Sequence, residues 1–344
     1  MARSKRTRGI PKLEPVPLTM MFTLSNPVTL PGSPLVNRYY IDISQCASLV
    51  SRKFLRQGLN WGFAGMKIFD FTAGTISVNL LPNSWVMSNS WHKSFAVWSR
   101  MNNESLQETE SVRPRFLDFK IFANEAHHLG GFGQNQRPRS SSGATAVVGE
   151  WESSKMVIPD TTLGATGGVQ ERELVAVGAN YPGLGASGLN AVSLIEGYAA
   201  SRLLPNVLDP NTPDDAADAD GVSPENWMAA TFNEGTQRDD DVLDTMITEN
   251  NLAPYPFEND GVNVDTMYPG GANQLSGLQI HDIGTISATT VGGMTRIKGG
   301  NAPCGLIEIT AEATDPLQSM GPLVILELIP GPMRGYLAEP MQDM

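Results

Sequence analysis

Cysteine is scarce in this chain: Cys46 and Cys304 are all it has. Two thiols so far apart make neither a disulfide framework nor paired zinc ligands, and a reducing compartment is the default expectation. Long apolar runs are missing too. No stretch approaches the roughly 18 apolar residues that a membrane-spanning helix needs. No apolar segment follows the charges at the N-terminus, so no secretory signal is expected. Histidine is limited to His92, His127, His128 and His281, none set beside a cysteine or acid at zinc spacing. There is no Gly-Lys-Ser/Thr phosphate loop and no internal repeat. Acidic residues are absent from the start of the chain, where Arg3, Lys5, Arg6, Arg8 and Lys12 all precede the first acid, Glu14.

What is present is an acidic body behind that basic arm. The formal net charge is −12 over 344 residues. Residues 1–140 hold 17 Lys and Arg against 8 Asp and Glu, net +9; residues 141–344 hold 7 against 28, net −21, and the two add to −12. Most of the deficit lies in 209–265, where 15 acids face Arg238 alone. Cations grouped at one terminus can neutralise phosphates, whereas a dense acidic surface repels them and stays solvated. An ordinary solvated terminus is the plainer alternative for the arm.

Gly 34 and Pro 24 favour short elements joined by turns and long loops over a helical bundle. Met20–Leu24, Tyr39–Ile43 and Trp61–Phe71 read as strands, and Thr75–Leu80 alternates polar and apolar with the period of a half-buried strand. Ala73-Gly74 between the last two reads as a tight hairpin turn. The period then changes. Ser88-Asn89-Ser90 offers an N-cap, and Trp91, Phe95, Trp98 and Met101 share one face of a helix of about four turns. That face could stack bases, but it is expected to pack on a sheet, because aromatic side chains mainly supply buried area. Further strands are expected at Phe116–Phe122, Val147–Ile158, Glu173–Val177, Leu278–Ile286, Gly305–Ile309 and Leu323–Leu328, with a helix over Leu189–Leu204. Strands outnumber helices and stand at both ends of the chain, with a large insertion between. The expected fold is mainly all-β, an antiparallel β-sandwich with long loop insertions and a few short helices.

Candidate chemistry is thin. Gly183-Leu184-Gly185-Ala186-Ser187-Gly188 matches the dinucleotide fingerprint string and lies between a strand and a helix. Asn180-Tyr181-Pro182 breaks the tight turn that fingerprint needs, and no apolar strand follows the helix, so a surface loop is expected. Asp214, Asp215, Asp218 and Asp220 before Gly221 resemble half of a calcium loop, but position 216 is Ala and 227 is Trp where the motif wants acids. A looser calcium site between subunits stays open, beside the reading of a charged exterior loop. Glu125, His127 and His128 could pass for acid–base machinery. No Ser or Cys nucleophile motif accompanies them, and on an extended segment adjacent histidines point to opposite faces. This tilts the reading away from an enzyme and toward a structural or binding role.

Four strings carry a resemblance: Leu59-Asn60-Trp61-Gly62-Phe63-Ala64-Gly65, Leu81-Pro82-Asn83-Ser84-Trp85-Val86-Met87-Ser88-Asn89-Ser90-Trp91, Pro303-Cys304-Gly305-Leu306-Ile307 and Arg334-Gly335-Tyr336-Leu337-Ala338-Glu339-Pro340-Met341. With the basic arm before them, they resemble capsid proteins of small circular single-stranded DNA viruses that encode a replication initiator, particularly uncultured aquatic and sewage-associated ones. The likeness covers most of 36–125 and 275–341. It implies a single jelly-roll shell domain over 19–344, an arm over 1–18 and a loop-rich acidic insertion at about 160–275. It further implies self-assembly into an icosahedral shell of sixty copies or a multiple of sixty, packaged single-stranded DNA, a host receptor and no membrane partner. The location implied is the virion, and the host-cell interior during assembly, in the nucleus if the host is eukaryotic. No cofactor other than the calcium just mentioned is implied. Circovirus-like capsids often carry a longer Arg-rich arm, so inner-surface residues such as Arg52, Lys53 and Arg56 are expected to help. Two other classes fit the same residues: the coat of a small single-stranded RNA virus or tailless phage, and a strand-rich carbohydrate-binding protein or enzyme with its site in the long loops.

Overall fold

Side chains that alternate between core and solvent are the building rule of the chain's sheets. In Leu323–Leu328 alternate residues are buried, and in Thr19–Thr23 Met20 and Phe22 point inward. The computed structural model describes residues 15–30, 36–105, 118–159, 169–202, 277–287, 290–315 and 317–344. In chain order it contains β1 (Thr19–Thr23), β2 (Val36–Asp42), α1 (Ile43–Ser51), β3 (Leu59–Phe69) and β4 (Gly74–Leu80). Next come α2 (Trp85–Ser105), α3 (Glu125–Gly130), β5 (Met156–Pro159), β6 (Val169–Val175), β7 (Ala191–Ser193) and α4 (Leu194–Arg202). The last part carries β8 (Gln279–Ile286), β9 (Met294–Ala302), β10 (Leu306–Ala313), β11 (Leu323–Leu328), β12 (Pro330–Gly331), β13 (Gly335–Tyr336) and β14 (Ala338–Pro340).

The register shows how the chain is folded back. β1 pairs antiparallel with β11, β2 with β10, β3 with β9 and β4 with β8. The strands β1–β4 thus form one long hairpin with β8–β11. Rolling that hairpin up adds the pairs β11–β3 and β10–β4. Two sheets result, β1-β11-β3-β9 and β2-β10-β4-β8, the strand order of a jelly roll. β14 completes the first sheet: it covers Leu59–Trp61 of β3, where β11 has ended. The fold is all-β, an antiparallel sandwich, as the sequence pattern implies.

Between the sheets lies the main core, with Phe22, Ile41, Trp61, Ile68, Val78, Ile309 and Leu326 all removed from solvent. Each such side chain contributes roughly 1.5–3 kcal/mol relative to exposure. Trp61 also satisfies its polar edge, donating from Nε1 to Ser44 Oγ at 2.9 Å. A second core forms outside the sandwich, where the β4–β8 insertion packs α2 and α4 over Phe119, Ile121, Leu174 and Leu306.

The structure departs from the sequence pattern at several points. Ala73-Gly74 is not a hairpin turn: β3 and β4 belong to different sheets, and the connection crosses between them. Gly74 serves a close approach, since a Cβ there would come within 2.4 Å of the Glu312 carbonyl oxygen. β9 was not foreseen, because its glycines and cations hide an edge strand. α2 starts at Trp85, with Ser88 N–H donating to Ser84 O at 3.1 Å. Ser88 and Ser90 lie inside the helix, their hydroxyls donating to Met341 O and Met87 O. The helix's aromatic face packs on Phe119 of an extended segment rather than on a sheet, with Trp91, Phe95 and Trp98 at ring-centroid distances of 6.0, 5.8 and 5.3 Å. In the described part of Phe116–Phe122 only Phe122 makes a bridge, to Val175. Val147–Ile158 is strand only from Met156, and the expected helix at Leu189 begins at Leu194, after β7. The reason is common to all three: inside an insertion, packing on the second core outweighs weak local propensity.

Trp91 is 6% exposed, whereas Trp98 is half-buried. Trp91→Ala is therefore expected to cost about 3–5 kcal/mol, and Trp98→Ala less than half as much. Chemical denaturation of both variants checks this, and equal losses would contradict it.

Candidate nucleic-acid interface

Antiparallel pairing sorts the connections by end. Leu328, Phe63 and Ala302 lie at the end of the first sheet where β1 begins, and Asp42, Leu80, Gln279 and Leu306 lie at the corresponding end of the second. At that end the chain before β1 enters, β2 turns into β3, β4 leaves for the 81–278 insertion and β11 leads into the tail. The opposite end carries only 24–35, 70–73, 287–293 and 314–322. Every long segment therefore gathers at one end of the roll.

The root of the basic arm is fixed there. Leu328 N–H donates to Leu18 O at 2.8 Å, and Tyr336 Oη donates to Pro17 O at 3.1 Å. Tyr336 in turn packs on Trp61, ring centroids 5.4 Å apart. Two residues earlier, Arg334 adopts a left-handed conformation (φ 53°) and donates from Nη1 to Phe54 O at 2.6 Å. Lys53 Nζ donates to Arg334 O at 3.3 Å. Arg52, Arg56 and Arg334 are exposed. The three cations singled out in the sequence, Arg52, Lys53 and Arg56, thus share a patch with Arg334 beside the arm's root. Arg334 was missed, because a lone Arg in a Pro-Met-Arg-Gly turn gives no sign of its tertiary neighbours.

The connection bearing those cations is held rigidly by buried polar groups. Gln57 accepts from Ile121 N–H at 2.6 Å through Oε1 and donates from Nε2 to Asp42 Oδ2 and Ile121 O, both at 3.0 Å. Asp42 caps α1 by accepting from Gln45 N–H at 3.2 Å, and it accepts from Trp151 Nε1 at 2.9 Å. Complete burial raises the Asp42 carboxyl to about 7 against these three donors. One carboxylate therefore ties α1, the basic connection and the insertion together.

Arg3, Lys5, Arg6, Arg8 and Lys12, and the calcium candidates Asp214, Asp215, Asp218 and Asp220, lie outside the described residues. The sequence pattern suggests opposite faces for the arm and the acidic segment. The described strand that follows the segment, β8, begins at the same end as β1, although the two are edge strands at opposite sides of the roll. Gly183, Gly185 and Gly188 lie in the connection between the parallel strands β6 and β7, not at a helix N-terminus. Gly185 instead leaves room for His128, whose Nε2 a Cβ would approach to 2.4 Å.

His127 and His128 lie on α3, capped by Asn124, rather than on an extended segment, and both are buried. His127 stacks on Tyr40 at 4.4 Å. Its Nδ1 accepts from Ala123 N–H at 3.0 Å, so Nε2 donates to Asn135 Oδ1 at 2.8 Å. Burial holds this imidazole neutral, lowering its pKa to about 3. His128 Nε2 lies 2.8 Å from Glu173 Oε2, and Ser153 and Ser187 donate to the same carboxylate at 2.5 and 2.9 Å. Burial pushes Glu173 up, but these hydrogen bonds outweigh it and hold the carboxyl below its usual range. Both serine hydroxyls are directed to the carboxylate, so neither Ser153 nor Ser187 is paired with a histidine base as nucleophilic catalysis needs. Burial pushes the thiols of Cys46 and Cys304 well above their ordinary range, which suppresses thiolate chemistry. Among the described residues no group of His, Cys, Asp and Glu is arranged to hold a metal ion, and no helix is long and apolar enough to cross a membrane.

No family model, no curated protein and no solved structure matches the chain.

The pKa of His127, at 6.5 when unfolded, falls to about 3 on folding. The unfolded chain binds the extra proton between those values, so this contribution to stability is whole above pH 6.5 and is lost as pH falls toward 3. Asp42, raised from 3.8 to about 7, works in the other direction: its contribution is present below pH 4 and is lost as pH rises through 7. Comparing wild type with His127→Gln isolates the first. The stability difference should shift toward wild type by about 1.4 kcal/mol per pH unit on going from pH 4 to 6. Denaturant melts at several pH values measure it, and a pH-independent difference would contradict a neutral buried His127.

Proposed function

We propose that this chain is the coat subunit of a small icosahedral virus, which assembles with copies of itself and packages a single-stranded DNA genome through its basic arm. The observation that carries the reading is the rolled eight-strand sandwich with arm root, basic connection and tail gathered at one end. A rigid roll supplies a fixed shape for tiling a closed shell. Weak contacts suffice, because closure makes them multivalent. The arm's five cations, joined by Arg52, Lys53, Arg56 and Arg334, supply sequence-independent phosphate contacts. The four strings resembling capsids of single-stranded DNA viruses favour that genome over RNA. An enzyme or carbohydrate-binding role finds less support, since the best-formed polar cluster, around Glu173, has its serine hydroxyls bound to the carboxylate.

The expressed full chain should elute as megadalton particles that appear as closed shells by negative-stain microscopy, and nuclease treatment should leave protected nucleic acid inside. Deleting residues 2–12 should leave the roll folded and lower the protected nucleic acid severalfold. The arm, engaging four or five phosphates, should contribute about −3 to the log–log slope of single-strand binding against salt, about 0.7 per contact. A small soluble oligomer, or wild-type packaging without the arm, would contradict the reading.

A further inference from the structure

Beside the arm's root is a cavity of about 450 Å³, within the range of small-ligand sites. Phe54, Trp91, Phe95 and Phe119 line it, and Arg56 and Arg334 belong to its lining as well. Three of its aromatics already form a packed set, with Trp91 stacked on Phe95 at 5.1 Å and an interplanar angle of 11°. Phe95, which lines the cavity, and Trp98 remain half-buried.

One polar group in the lining, the indole N–H of Trp91, a residue only 6% exposed, is buried without a hydrogen-bond partner among the described residues. Asp118, whose side chain is 4% exposed, is instead ion-paired through Oδ2 with Lys120 Nζ at 3.6 Å. Burial raises the Asp118 carboxyl, with Lys120 opposing. A buried donor left unpaired costs roughly 1–3 kcal/mol, so the Trp91 indole points to a ligand that carries an acceptor.

We infer that this cavity receives one unpaired base of a single-stranded nucleic acid, stacked against the aromatic wall, with Arg56 and Arg334 meeting the flanking phosphates. The chemistry matches at three points. Every base has a π-face for an aromatic platform. Its edge presents an acceptor for the Trp91 indole. Guanidinium groups suit phosphate oxygens. Asp118 would repel a phosphate within the cavity, which fits entry by the base with the backbone held at the arginines. The position fits as well, because Arg334 joins the cavity to the turn on which the arm's root rests. The inference rests on the nucleic-acid-packaging reading above and assigns a specific site to it.

The test compares a ten-nucleotide deoxythymidine strand with an abasic strand of equal length, each titrated onto the full chain and followed by anisotropy and tryptophan fluorescence. The base-bearing strand should bind about tenfold more tightly, the low end for stacking one base, and should quench tryptophan emission. Phe95→Leu keeps apolar volume and removes one π-face, so it should bring the affinity ratio toward one while phosphate-driven binding persists. Equal affinity of the two strands for wild type would overturn the site, as would a ratio that Phe95→Leu leaves unchanged. If Phe95→Leu does not fold, the wild-type ratio and quenching still decide. Electron microscopy of the same preparation separates the two readings. Shells without base preference would remove the pocket and leave the coat reading, whereas base preference without shells would do the reverse.

Discussion

The pairing of β1–β4 with β8–β11 is the constraint on which the rest depends. Once β1 lies against β11 and β4 against β8, antiparallel geometry decides where every connection emerges. The connections 70–73 and 287–293 are short, and the long insertion leaves from the other end. A 198-residue connection, 81–278, is tolerated there because it does not interrupt a ladder. The insertion then builds its own core over Phe119 and Leu174, outside the sandwich.

A roll alone would not present cations in a fixed geometry. The basic connection between α1 and β3 is held by Gln57 and Asp42, both inaccessible to solvent. Breaking this network would leave several buried groups unpaired at once, which makes it costlier than any surface ion pair in the chain. The same network reaches the insertion through Trp151. The shape of the cation-bearing end and the docking of the insertion are therefore linked through one buried carboxylate. On this account the end combines a fixed patch, Arg52, Lys53, Arg56 and Arg334, with the sequence's separate basic arm.

Much of the sandwich is legible in the sequence, because its strands lie at the interface of core and solvent and so alternate. Thr75–Leu80 and Leu323–Leu328 are examples. β9 is not legible, since an edge strand needs only one good side, and Gly299 is there to let the Ala64 carbonyl approach. The insertion is read poorly for a different reason: Leu189–Leu204 and Val147–Ile158 have apolar content without a clean period, and their structure follows from where the second core lies. In the candidate interface, Arg52, Lys53 and Arg56 are visible as a local cluster. Their alliance with Arg334 depends on contacts across about 280 positions of sequence, which no local pattern carries. The unpartnered Trp91 indole is likewise a property of packing alone.

The central claim is that the arm-bearing end of the roll addresses packaged nucleic acid. A three-dimensional reconstruction of purified, nuclease-treated particles by cryo-electron microscopy tests it most directly. The account predicts closed shells in which Pro15–Leu18 and the Arg334 turn face the lumen, with nucleic-acid density against Arg52, Arg56 and Arg334. Shells with that end on the outer surface and the 70–73 and 287–293 turns toward the lumen would contradict it.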